Sequence, residues 1–167
     1  MGKRLFLWEA AGFLWTAAIG TMLHFLYDWS GRHPVVGAFS AENESIWEHM
    51  KLLFFPMLVF SLIEYSRIGK DSPNFWCVKL IGTLMGLTVI PVLYYTYTGA
   101  LGVSADWFNI AIFFIAAAAV YWLETRLLQN SRPRCTFPAV ALGTLLLIGV
   151  VFVMLTYHPL NLPLFQA

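Results

Sequence analysis

Five apolar runs, each long enough to cross a bilayer, constrain this chain more than anything else in it. They cover about residues 5–27, 47–65, 75–97, 107–127 and 137–157. A hydrocarbon core of about 30 Å takes ~20 helical residues to span. Inside lipid every backbone N–H and C=O must find its partner within the protein, which leaves helices or closed barrels. Barrel strands are about 10 residues long and alternate polar with apolar positions; these runs are longer and do not alternate. Charged residues make up 11% of the 167, against about 25% in soluble domains. Trp29, Trp47, Tyr65, Trp76, Tyr97, Trp107 and Tyr157 stand near the run ends, where amphipathic rings meet the headgroups. The expected fold is all-α, an integral membrane bundle of about five transmembrane helices in one domain spanning residues 1–167. Lys3 and Arg4 ahead of the first run resemble the start of a signal peptide. That run is too long for one and ends in His24 and Asp28 rather than small residues, so it is expected to stay as a helix. Pro56 and Pro91 fall inside runs and are expected to kink them.

Orientation follows from Lys and Arg in the short loops. Lys3, Arg4, Arg67, Lys70, Lys79, Arg126, Arg132 and Arg134 fall on the side of the N-terminus, and only Arg32 and Lys51 on the other. The expectation is N-terminus in, C-terminus out. All four histidines (His24, His33, His49 and His158) then lie at the outer side, with the stretch SAENESIWEHMK, the tyrosines from Tyr94 and Asp106. The inner side carries ordinary loop chemistry, with Glu64, Asp71 and Glu124 balancing the basic residues, and no polar track joins Glu9 and Glu64 to the outer groups. A net charge of +1 and the lack of a basic stripe exclude a nucleic-acid role. Cys77 and Cys135 have no metal-ligand spacing and sit near the inner face, where thiols stay reduced; packing is their expected role.

The outer groups carry what chemistry the sequence has. His24 and Asp28 are four apart and share a helical face. Ser45-Ile-Trp-Glu48 fits a capping box, with Asn43 as an alternative cap. Glu42 and Glu44 suit a helix N-terminus, and Glu48 can pair with Lys51 three residues on. Residues 45, 48, 49 and 52 share a face, which turns His49 towards the bundle interior beside Glu48. Tyr94 to Gly99 reads as an aromatic belt ended by a glycine stop, or as a place where one tyrosine turns inward; Asp106 fits an N-cap, and His158-Pro159 a helix end. His24, Asp28, Glu48 and His49 are expected to converge in one pocket. In it His24, His49 and His158 supply imidazoles to zinc or another divalent transition metal. Asp28 or Glu48 serves as fourth ligand or general base, and Asn43, Glu44, Lys51, Tyr94 and Tyr95 meet a substrate. Two function classes follow. One is a metal-dependent hydrolase acting on a membrane lipid or lipid-linked substrate. The other is a non-catalytic protein that binds or transports a cation or small solute, or serves as a membrane partner subunit or homo-oligomer.

The stretches LHFLYDWSG, NESIWEHMKLLFFP, PNFW and YYTYTGALG resemble those of a family of small bacterial multi-pass membrane proteins known only as a domain of unknown function. The resemblance covers nearly the whole chain and implies placement in the bacterial plasma membrane, with no activity attached. Ser45 and His49 in SIWEH are also similar to one SxxxH motif of the zinc-dependent alkaline ceramidase and adiponectin-receptor superfamily. Members of that superfamily have seven helices and a late HxxxH, where this chain has five runs and the single His158.

Overall fold

A computed structural model describes residues 2–130 and 133–166. Five long helices match the five runs: α1 (Gly2–Trp29), α3 (Ile46–Arg67), α4 (Phe75–Leu101), α5 (Asp106–Gln129) and α6 (Pro138–Tyr157). A short α2 (Pro34–Gly37) lies in the α1–α3 connection, and single 3-10 turns occupy Gly69–Asp71 and Pro163–Phe165. No strand occurs among the described residues. All five long helices are long and apolar enough to cross a membrane.

α3 is the central helix. It packs against α1, α4 and α6, while α5 lies against α1 and α4. Leu53, Phe54, Val78, Ala116, Ala117 and Val120 form the buried middle. The outer surface is apolar as well, with Leu14, Ile110, Leu147 and Val150 at least half exposed, as a lipid-facing surface requires. Where hydrocarbon surrounds the helices, close backbone approach and packing drive association more than burial does. Gly20 shows how. Pro56 has no N–H to give the Leu52 carbonyl, and α1 comes down on that carbonyl so closely that a Cβ at Gly20 would sit 2.7 Å from its oxygen. Pro56 and Pro91 both lie within continuous helices.

Two helix-end expectations are corrected, and a third is decided between its alternatives. α4 runs past Gly99 and stops at Gly102, whose φ of 70° is the left-handed cap that glycine adopts without strain. α5 is preceded by Ala105 at its N-cap, with Asp106 as its first residue and no side-chain cap. The tyrosine that turns inward is Tyr97, which is buried and hydrogen-bonds Asn109 across the α4–α5 loop. The cysteine expectation is corrected too: Cys77 and Cys135 form a disulfide. Fifty-eight positions separate them in sequence, but α4 and α6 both begin at the same end of the bundle, so the first turn of α4 meets the segment just before α6.

Candidate functional site

The site is built where α1 ends and α3 begins. The chain enters α3 through a turn in which the Asn43 Oδ1 accepts the Ser45 N–H at 2.9 Å. Ser45 then caps the helix, its Oγ accepting the Glu48 N–H at 3.4 Å. The reciprocal half of the box is absent: the Glu48 carboxylate accepts the Glu42 N–H at 2.9 Å instead. Ser45→Ala is expected to lower stability by about 1 kcal/mol through the lost cap, read as a drop in the thermal midpoint of the purified protein. It should leave the placement of His49 intact, because the group that orients His49 is the Ser45 carbonyl and not its hydroxyl.

That carbonyl fixes His49. The imidazole Nδ1 lies 2.8 Å from the Ser45 oxygen. A carbonyl only accepts, so Nδ1 carries the hydrogen and Nε2 is left for a partner outside the helix backbone. Nε2 points at Glu44 Oε2, 3.6 Å away. From α1, His24 brings its own Nε2 to 3.7 Å from the same oxygen. The two rings meet edge to face with centroids 5.6 Å apart, and Phe25 stacks on His24 at 5.0 Å. His24, Glu44 and His49 thus offer three ligand atoms within 4.8 Å of one another. Beside the imidazoles is an apolar cavity of about 160 Å³, lined by Gly20, Thr21, Phe25, Leu52 and Phe114 among others. Glu44 is 70% exposed and both histidines are mostly enclosed, so the group faces solvent on one side and the bundle on the other.

The convergence of His24 with His49 holds, and Glu44, expected only as a substrate contact, is the carboxylate between them. The other expected members stand elsewhere. Asp28 is exposed and pairs with Arg32 at 3.2 Å, because the last turn of α1 carries it out past the bundle. Glu48 turns away from His49, since adjacent residues on a helix point about 100° apart. It pairs with Lys51 at 2.7 Å. Lys51 is fully enclosed and donates to the Gly37 carbonyl at 2.8 Å and the Thr156 Oγ1 at 2.9 Å. That pair ties α2 and α6 to α3. His158 is exposed at the end of α6 and is outside the histidine group. Asn43 is exposed, Tyr95 faces outward, and Tyr94 lines a small cavity with Glu44 and His49.

A second cluster lies at the other end of the bundle. Lys79 of α4 is 1% exposed, and its Nζ sits 3.1 Å from Glu9 Oε1, 2.6 Å from Glu64 Oε2 and 2.6 Å from Glu124 Oε2. Four helices contribute one charged group each. The sequence did hold a signal: each of four apolar spans has one such residue within about two turns of the same bundle end. They passed for ordinary inner-side charges because each lies close to the inner end of its expected span, among the basic residues there.

The bundle, with five helices apolar enough to span a membrane and ionisable groups gathered at both ends, defines a multi-pass helical membrane protein. A family model described as a family of unknown function, DUF6512, matches residues 4–167, and the chain belongs to that family. No curated protein and no solved structure matches it.

Proposed function

We propose that this protein binds a divalent transition metal, zinc by its donor set, through His24, Glu44 and His49 at one end of a membrane-embedded bundle. One observation carries the proposal. The His49 Nδ1–H is committed to the Ser45 carbonyl, so Nε2 faces a carboxylate oxygen at 3.6 Å. With the ring neutral, these two acceptors call for a positive charge between them. The separation is too long for a direct hydrogen bond. It is close to the ~3.4 Å between ligands of a tetrahedral ion with bonds of about 2.0–2.1 Å. A hydrogen bond from the second ring nitrogen to a backbone carbonyl is also the usual support of a metal-ligating histidine.

Two histidines and one glutamate leave a fourth position open, as in catalytic zinc sites. The apolar cavity against His24 and His49 favours a second reading, in which the site hydrolyses a lipid ester or amide whose acyl chain lies along α1 and α5. Asp28 and Glu48 point elsewhere and offer no base to that reaction. Metal binding is therefore the function the geometry supports best. Calorimetric titration of the purified protein with zinc is expected to give about one site per chain. The affinity should fall on acidification, because metal displaces protons from imidazole. His49→Ala is expected to abolish the high-affinity site and Lys51→Arg to keep it. No binding by the native protein, or binding unchanged in His49→Ala, would contradict the assignment.

The membrane we propose is the bacterial plasma membrane, with this site on its outer side. Arg132 lies outside the described residues, and Lys79 and Lys51 are buried in ion pairs. Lys3, Arg4, Arg67, Lys70, Arg126 and Arg134 still stand at one end against Arg32 at the other. The Cys77–Cys135 disulfide is at the basic end. In this orientation it faces the reducing side and closes only under oxidation. Val35 is 62% exposed in the α1–α3 connection. In a chain without the two native cysteines, Val35→Cys is expected to react with an impermeant thiol reagent in intact cells. Reaction only after lysis would place the disulfide outside and invert the topology.

A further inference from the structure

The Lys79 cluster does not balance. Glu9, Glu64 and Glu124 are each no more than 1% exposed, and one ammonium serves all three. With every carboxyl ionised the cluster would carry two uncompensated negative charges inside the bundle. Burying even one such charge is prohibitively costly. The cluster's own atoms show where the compensation is missing: Glu9 Oε2, Glu64 Oε1 and Glu124 Oε1 are buried without a hydrogen-bond partner.

We propose that Glu9, Glu64 and Glu124 around Lys79 form a proton-binding site that holds two exchangeable protons, shared among the three carboxyls. A metal ion is the poorer occupant, because the Lys79 ammonium already takes the central cation position and contacts all three carboxylates. Among the described residues no other charged side chain pairs with the cluster. From α5 the cluster is faced by Tyr121, whose hydroxyl is engaged with Thr16 at 2.8 Å. α6 has no titratable residue before Tyr157 at its far end. Protons have a route in. A groove of about 520 Å³ between α1 and α5 is floored by Glu9 and Tyr121 and edged by Thr125, Arg126 and Gln129. Glu9 is the cluster member that lines this groove, so protons exchange with the cluster through its carboxyl. The polar chain from Glu9 stops at the Tyr121–Thr16 pair. Beyond it Gly20, Leu52 and Phe113 separate the cluster from the His24 group. The site therefore exchanges with one side only, and it stands or falls independently of the metal site.

Infrared spectroscopy of the full chain in lipid vesicles tests this, because a protonated carboxyl has a carbonyl stretch that a carboxylate lacks. At neutral pH the expected spectrum shows this band at an area of two carboxyls per chain, shifting in D2O as the groove admits deuterons. Shared protons make a specific demand on Glu9→Gln, Glu64→Gln and Glu124→Gln. Each removes one negative charge, so each is expected to halve the band, whichever residue is changed. The native protein alone can refute the proposal, so it does not depend on the variants folding. Absence of the band at neutral pH would overturn it. So would loss of the band when sodium replaces choline at constant pH, which would make the occupant a metal cation. A band halved by one variant and untouched by the other two would assign a single protonated residue and overturn the shared site.

Discussion

Replacing Lys79 with methionine is expected to destabilise the bundle by about 3–5 kcal/mol, the typical cost of leaving buried partners of an ion pair without their counter-charge. Methionine is close to lysine in length and fits the apolar walls, so the loss is one of charge rather than volume. Its ammonium contacts carboxylates from α1, α3 and α5, so its removal strikes three helix contacts together. Chemical denaturation in mixed micelles, followed by circular dichroism, reads the effect. The sign of its pH dependence is fixed by the same electrostatics. Without Lys79 the three carboxyls are tolerated only when protonated, so the deficit relative to the native protein should shrink as pH falls. A Lys79→Met protein as stable as the native one at neutral pH would mean that the four groups do not meet.

Lys51→Met is expected to cost a similar amount, about 3–5 kcal/mol, but with a different rescue. Lys51 has one carboxylate partner, Glu48, and two neutral acceptors, the Gly37 carbonyl and the Thr156 hydroxyl. Its loss strands one buried charge and one buried carbonyl and should loosen α2 and α6 from α3. Replacing an entire buried pair by apolar residues is often neutral or better. Lys51→Met combined with Glu48→Leu should therefore recover most of the stability, short of what the unpaired Gly37 carbonyl and Glu42 N–H still cost. No single companion can do the same for Lys79, because two further glutamates would remain. The recovery also separates structure from the proposed function: the zinc affinity of the double variant should equal that measured for the native protein, since neither residue belongs to the His24–Glu44–His49 group.

Helix number and type were legible because span length and lack of alternation are properties of each segment taken alone. So was the meeting of His24 and His49: consecutive antiparallel helices pack as neighbours, and the two residues lie at matching depths from the shared end. What the sequence could not reveal depends on three helices at a time. Glu48 and His49 are adjacent, and the face each takes is decided by what stands opposite. The Gly37 carbonyl and Thr156 lie on the Glu48 side, and His24 of α1 on the other. Glu44 precedes α3, where a side chain's direction follows from the turn that Asn43 sets with Ser45 and not from helical periodicity. Asp28 was misplaced because Arg32, four residues on in the loop, holds it in solvent. The Lys79 cluster and the Cys77–Cys135 disulfide were missed for one reason. Their members are 15 or more residues apart and meet only when helix ends of equal depth are brought together.

The central claim is a metal held by His24, Glu44 and His49. X-ray absorption at the zinc edge tests it most directly, on purified protein loaded with one equivalent. The predicted first shell has two imidazole nitrogens and oxygen at about 2.0–2.1 Å, and His49→Ala should lose one imidazole from it. Zinc that is not retained, or a first shell of oxygen or sulfur alone, would contradict the assignment.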